Sequence, residues 1–456
     1  EIDMADKQIK VYKTNVRAQQ YLAEEKPLTF RTGKETHEEA VINVYDDVTY
    51  QEILGFGGAF TESAAYNYHL MGEKNKKKFI QAYFDPEEGI GYSFGRTHIG
   101  SCDFSLDTYQ YMEAGDKSLA TFNIGRDKEY VIPFVKAAMQ AAGEPLVLFA
   151  SPWSPPAFMK TTGSALFGGK LSGEYMDSWA ECYAKYILEF KKEGIDIWGV
   201  TVQNEPNAIQ TWESCQYSAQ EEADFIKNHL APALDRAGLS DIKIIIWDHN
   251  KEQLYDRSRV TLADESVRRR VWGIGMHWYS GEHHEAVSIT HQQFPEKQLL
   301  VTEFCHGLYP IDRGTAMAER YAHDMIGNLI GGVSGSCDWN LVLDTAGGPY
   351  HARFGGCSAP VMYNVAEDVL RFTPAYYYVG HFSKFIRRGA RRIGTSKYTE
   401  RVETCAFANP DGTIAAVILN RSPHRVPFFL KYNGLCARGM STPHSIMTLI
   451  FDKTER

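Results

Sequence analysis

Trp198-Gly199-Val200-Thr201-Val202-Gln203-Asn204-Glu205-Pro206 begins as a nearly unbroken run of apolar and small residues and ends in three polar side chains before a proline. Apolar continuity, rather than strict alternation, marks a strand covered on both faces, as in a parallel sheet. Its flanks are helical. Upstream, Trp179, Tyr183, Ile187 and Phe190 recur at three- and four-residue spacing, with Gly194 where a left-handed C-cap would sit. Downstream, Ser218-Ala219-Gln220-Glu221 is a capping box ahead of Phe225 and Leu230, and Gly238 closes that segment.

The same helix-and-strand rhythm extends in both directions. Short apolar runs at 53–56, 92–99, 146–150, 198–202, 242–247, 272–278, 299–302 and 335–339 alternate with longer segments of helical periodicity. Eight repeats specify an α/β fold of the (β/α)8 TIM barrel type more economically than an open sheet. Past about residue 388 the pattern becomes short strands and tight turns: 402–408, the turn Asn409-Pro410-Asp411-Gly412, 413–419, 426–430 and 445–451. Residues 8–16 and 28–30 are also strand-like. The expectation is N-terminal strands within 1–50, a (β/α)8 barrel over 51–387, and a C-terminal unit over 388–456 that joins the N-terminal strands in a side β-sandwich.

Composition narrows the function. The 456 residues carry a net charge of −9, leaving no basic surplus for phosphates, so nucleic acid is not an expected partner. At 44% hydrophobic and 23% charged, the chain falls in the globular range and outside the disordered classes. No stretch reaches the ~18 consecutive apolar residues of a membrane span, so stable membrane insertion is not expected, and residues 1–13 contain no apolar leader core. The eight cysteines include no C-x-x-C pair, which speaks against a zinc ribbon or a disulfide framework. Free thiols lean towards a reducing, cytoplasmic compartment, with secretion after loss of a leader as the alternative. Oligomeric state is not readable.

In such a barrel the site is built where the strands end. The fourth run ends at Glu205 and the seventh, Val301-Thr302-Glu303, at Glu303. Strands four and seven lie across the ring from one another, so the two carboxyls can face each other, as cleavage of a glycosidic bond requires. A single glutamate at a strand end is more often a salt bridge or a cap; two on these strands change that balance. Which is acid and which nucleophile stays open, because sequence does not show which environment raises the pKa. All eight tryptophans lie between Trp153 and Trp339. Trp153, Trp247, Trp278 and Trp339 are at or beside strand ends and Trp212 is in a following loop, suited to packing on a sugar ring. Arg96, Asp103, Asp248, His249, His277, Tyr279, Asp338 and Asn340 complete a hydroxyl-reading set. Gly55-Phe56-Gly57-Gly58-Ala59-Phe60 lacks the third glycine of a dinucleotide fingerprint, residues 163–171 lack the lysine and hydroxyl of a phosphate loop, and His283-His284-Glu285 has no partner motif. No metal or cofactor is expected.

An ordered series of segments resembles glycoside hydrolase family 30, in its glucosylceramidase-like branch. The series comprises Gly55 to Glu62, Arg96 with Ser101-Cys102-Asp103-Phe104-Ser105, Ser151-Pro152-Trp153-Ser154-Pro155-Pro156, Gln203-Asn204-Glu205-Pro206, His277-Trp278-Tyr279, Thr302-Glu303 and Asp338-Trp339-Asn340-Leu341. It continues in the tail with Gly380-His381-Phe382-Ser383-Lys384-Phe385 and Asn409-Pro410-Asp411-Gly412. The resemblance implies a retaining double displacement on β-glucosides, with a carbohydrate or glycolipid substrate. It makes Glu205 the acid/base and Glu303 the nucleophile, has Asp103, Trp153, Asn204, Tyr279 and Trp339 touch the sugar, and has Arg96 support the nucleophile. β-Xylosidase and endo-β-1,6-glucanase are the alternatives within the family, and a non-catalytic carbohydrate-binding barrel is the alternative of another class. One departure stands out. After Gly347-Gly348-Pro349 the family pattern has an asparagine, where this chain has Tyr350-His351-Ala352-Arg353-Phe354-Gly355.

Overall fold

In the computed structural model, which describes residues 7–32, 40–352 and 355–454, the eight apolar runs form one closed parallel barrel. Its strands are β1 (Gly55–Ala59), β2 (Phe94–Ile99), β3 (Val147–Pro152), β4 (Gly199–Thr201), β5 (Lys243–Asn250), β6 (Val271–His277), β7 (Gln298–Glu303) and β8 (Val333–Asn340). Pairing of β8 with β1 closes the ring. Gly57 permits the contact between β1 and β2, since a β-carbon there would stand 1.4 Å from the Phe94 carbonyl oxygen.

Where the strands begin, the barrel is plugged. Phe94, Phe149, Ile245, Leu300 and Cys337 form a buried cluster, with Phe94 and Phe149 stacked 5.3 Å apart and Trp198 edge-on to Trp272 at 4.5 Å. A substrate therefore enters only from the end where the strands finish. The outer helices follow the sequence pattern. Met176–Lys192 buries Trp179, Tyr183, Ile187 and Phe190, and Gly194 adopts φ 82° just beyond it. Ser218 and Glu221 make both bonds of the capping box ahead of Ala219–Phe225. That helix continues through a wide turn, Ile226–Leu230, into Ala231–Arg236, where Pro232 lacks the N–H that a regular turn would use.

The side domain is a ten-stranded sheet folded around its own core, which includes Ile9, Val44, Ile393, Ile418, Phe428 and Leu449. Gln8–Asn15 lies between Gln20–Thr29 and Ser445–Asp452, with Lys10 opposite Ile450, so the two ends of the chain share one sheet. The strand expected at 28–30 starts at Gln20. Val41–Glu52, Arg391–Lys397 and Leu435–Ser441 are strands that hydrophobic patterning did not single out. Leu435–Ser441 buries Leu435, Ala437, Gly439 and Ser441, so small and polar residues dilute its alternation. Helix Pro374–Ser383 ties the two units together. Its buried His381 sits 2.9 Å from both Thr14 Oγ1 and Thr448 Oγ1, and burial lowers the ring to about 3, so it bridges them as a neutral imidazole. Residues 1–6 and the Arg353-Phe354 pair of the departure noted above lie outside the described residues.

Candidate active site

Glu205 leaves β4 with φ 47°, its N–H bonded to the Asp248 carbonyl, while Asn204 N–H bonds to the Pro152 carbonyl. This left-handed turn, rare outside glycine, is locked by its neighbours on both sides, as strained positions at sites usually are. Glu303 is the last residue of β7. One oxygen of Glu205 and one of Glu303 lie within 4.8 Å of each other. Oxygens that close put the two carboxyls within reach of the short separation of a retaining pair, roughly 5–5.5 Å, rather than the ~6.5–9.5 Å that leaves room for an inverting water.

Arg96, fully buried in β2, organises everything behind the pair. Its guanidinium donates to Glu303 Oε2 at 2.5 Å, Asp248 Oδ2 at 2.8 Å, Asn204 Oδ1 at 2.9 Å and, through Nε, Ser151 Oγ at 3.0 Å. The second oxygen of Glu303 accepts from Tyr279 OH at 2.7 Å. Asp248 also accepts from Thr201 Oγ1 at 2.7 Å. Burial alone would raise Asp248, but Arg96 and His277 hold it well below the usual carboxylate range, so it is a permanent anion.

His277 joins this anion to Glu205, with Nε2 2.8 Å from Asp248 Oδ1 and Nδ1 3.0 Å from Glu205 Oε1. Burial opposes its protonation. Glu303, Asp248 and Glu205 outweigh that and raise it to about 9. At rest the proton thus sits on His277, and Glu205 is lowered: burial pushes it up, but its bond to His277 and the nearby His249 prevail. Glu303 is raised, by burial and the facing Glu205, against the pull of His277 and Arg96. In an unfolded chain a histidine titrates near 6.5, so the native state holds the extra proton between about pH 6.5 and 9. This contribution to stability is complete below pH ~6.5 and lost as pH rises through ~9. Urea midpoints of the wild type should accordingly fall from pH 6.5 to 9, and His277→Gln should flatten that slope.

The cavity at the strand ends measures about 450 Å³, within the range of small-ligand sites. Asp103, Trp153, Asn204, Tyr279 and Trp339 line it beside both glutamates. Trp153 and Trp339 stack at 5.3 Å and form its aromatic floor. Burial and the surrounding carboxylates raise Asp103 well above its ordinary value. Three expected sugar contacts lie elsewhere. Arg96 and His277 are fully buried behind the glutamates. Trp247 is 1% exposed and points out of the barrel, its indole N–H bonded to the Asn250 carbonyl and its ring under Arg257. The cause is a bulge in β5: Trp247 and Asp248 have φ 71° and 56°, and the pairing with β6 slips between Trp247 and His249. The bulge swaps faces, sending Asp248 to Arg96 and His249 into the cavity. Asp338 and Asn340 are also turned into the wall, bonded to Tyr321 and Thr61.

Residues that sequence reasoning missed include Gln210, Asn250, His306 and Arg320, which come from a loop, the end of β5, a two-residue strand and a helix, and carry no motif. His351, from the segment that departs from the family pattern, pairs with buried Glu213 at 2.9 Å and donates its N–H to the Asp103 carbonyl, bracing the loop that carries Asp103.

Glu205, His277 and Glu303 could geometrically offer three metal ligands. Both His277 nitrogens and both Glu303 oxygens are already engaged, and the Arg96 guanidinium 2.5 Å from Glu303 supplies the positive charge a metal would bring. The donor set suits a proton site rather than a metal centre.

Known proteins resemble this chain in sequence and fold. The description "Glycosyl hydrolase family 30 TIM-barrel domain" matches residues 53–386 and "Glycosyl hydrolase family 30 beta sandwich domain" matches 389–449. The lysosomal acid glucosylceramidase of Mus musculus is 32% identical over 411 residues, covering 85% of this chain and 78% of its own. The crystal structure of SrfJ from Salmonella typhimurium superposes with a TM-score of 0.94 at 36% identity, over 98% of this chain and 100% of that one. An endo-β1,6-glucanase structure superposes at 0.88 with 28% identity, again over 98% and 100%. A closed barrel with two facing strand-end glutamates, joined to a sandwich that matches the same family, makes this chain a member of glycoside hydrolase family 30, a family of retaining glycosidases.

Proposed function

We propose that the chain is a β-glucosidase of the glucosylceramidase type in which Glu303 is the nucleophile and Glu205 the acid/base. The observation that carries this reading is the separation of the two carboxyls, within 4.8 Å. The surroundings support the order of roles. Glu303 receives two donors, one of them cationic, which hold its carboxylate in place for attack. Glu205 shares the His277 proton across one hydrogen bond. When substrate covers Glu205, charge separation in that bond becomes costly and the proton moves to Glu205, leaving a neutral pair.

In the first step Glu303 attacks the anomeric carbon while Glu205 protonates the departing oxygen, giving a glycosyl ester of Glu303. In the second, Glu205 takes a proton from water, which attacks from the face the leaving group vacated, opposite the ester bond, and displaces Glu303, so the configuration is retained overall. The sugar rests on Trp153 and Trp339, and Asn204 and Asp103 bond to its hydroxyls. Tyr279→Phe should cost ~10–100-fold in kcat/KM, the worth of about 1.5–3 kcal/mol for a hydrogen bond to a charged group, read on an aryl β-glucoside.

The rim supports a glycolipid. Phe167 and Ile209, beside cavity residue Gln210, are 57% and 63% exposed, and Ile311, near Gly307, is 72% exposed. None of the chain's helices is long and apolar enough to cross a membrane among the described residues, so these side chains would meet lipid from the surface. Ile209→Ser combined with Ile311→Ser should lower turnover of glucosylceramide in vesicles about tenfold and leave a soluble aryl glucoside unchanged. Unchanged turnover in vesicles would contradict the glycolipid reading. A panel of aryl β-glycosides and β-1,6-glucan, followed by anomer-resolved NMR, tests the whole reading: β-glucoside should be preferred and β-glucose should appear first. Preference for xyloside or β-1,6-glucan would overturn the substrate assignment.

A further inference from the structure

Cys305 lies two residues beyond Glu303, and Cys357 lies on the loop after β8. Their sulfurs are 3.7 Å apart and both line the cavity. A short antiparallel ladder holds the two segments together, with His306 opposite Ser358 and Gly307 opposite Cys357. Closing a disulfide from this position needs the sulfurs to approach to about 2.05 Å, a side-chain movement between backbones already clamped side by side.

We infer that Cys305 and Cys357 are a modification site: hydrogen peroxide converts them to an intramolecular disulfide that slows glycoside hydrolysis, and a dithiol reverses it. Half-buried Cys357 meets the oxidant first. Its thiol and the peroxide give a sulfenic acid and one water. The Cys305 sulfur then attacks the Cys357 sulfur; the S–S bond forms, the S–O bond breaks, and hydroxide leaves with the Cys305 proton as a second water. The two thiols lose two electrons and the peroxide gains them. Contact with Cys357, and then burial, raise the Cys305 thiol well above its ordinary value, so Cys305 waits as the resolving partner and the reaction quickens as pH rises. Cys102, Cys182, Cys215, Cys337 and Cys405 are buried and shielded from the oxidant.

The link to turnover runs through Tyr279, whose hydroxyl is 3.4 Å from Cys305 Sγ and 2.7 Å from Glu303. Drawing the Cys305 sulfur towards Cys357 takes it away from the Tyr279 hydroxyl and changes the bond by which Tyr279 orients Glu303, so kcat should fall about tenfold or more. The folded protein, treated with hydrogen peroxide and digested without reductant, should yield a peptide joining Cys305 to Cys357 that disappears with dithiothreitol as turnover returns. The ratio of oxidised to reduced activity should rise to near one in Cys357→Ser. Absence of the joined peptide at doses that oxidise Cys436 would overturn the inference, as would a joined peptide with unchanged turnover. The peptide is read by mass, so this outcome is independent of the substrate proposed above.

Discussion

Glu303→Gln is expected to lower kcat ~10⁴-fold or more while leaving the unfolding midpoint close to that of the wild type. The amide keeps the shape of the side chain and can still face Arg96 and Tyr279, but it cannot form the glycosyl ester. Glu205→Ala should fail differently. An activated aryl glucoside needs no proton on its leaving group, so the ester still forms, and hydrolysis of that ester becomes slow for lack of a base. Azide needs no base, so it should restore turnover in Glu205→Ala and release a β-glycosyl azide. In Glu303→Ala, azide can only replace the lost nucleophile from the opposite face and should give the α-azide. Product configuration therefore assigns the two roles separately, and the opposite pairing of product and variant would exchange them.

The largest expected effect on stability comes from Arg96→Met. The substitution removes the one cation bonded to both Glu303 and Asp248 and leaves two buried carboxylates against an apolar chain. Breaking a buried pair in this way costs about 3–5 kcal/mol, to be read as a lower urea midpoint at pH 7, and turnover should be lost with it. Protonating the stranded carboxylates relieves the penalty, so the gap between variant and wild type should narrow from pH 7 to pH 5. Arg96→Lys keeps a charge but cannot reach four acceptors, and should recover part of the stability with little of the activity. A gap that does not change with pH would mean lost packing rather than stranded charge.

The barrel and the two glutamates were legible because each rests on a local signal: continuous apolar runs, helix caps, and a polar residue where each run stops. What escaped depends on contacts between distant segments. The reading of Trp247 as a sugar contact assumed regular alternation in β5, and the bulge at Trp247-Asp248 reverses it. Two consecutive left-handed residues that are not glycine leave no mark in the sequence, yet a one-residue slip turns every later side chain to the other face. The bulge also explains why Arg96 and His277 sit behind the cavity, since Asp248 turned inward binds both. In the side domain, Leu435–Ser441 escaped because Ala437, Gly439 and Ser441 fill positions where large apolar residues would have signalled a strand. The Cys305–Cys357 contact joins loops after two different strands, and spacing along the chain says nothing of it.

The proposed division of labour is tested most directly by trapping the intermediate. A 2-deoxy-2-fluoro-β-glucoside with a good leaving group forms the glycosyl ester faster than the ester hydrolyses, so intact mass should rise by one fluoroglucosyl unit. Peptide mapping should locate that unit on Glu303. An adduct on Glu205, or turnover of the reagent with no adduct at any time, would contradict the account.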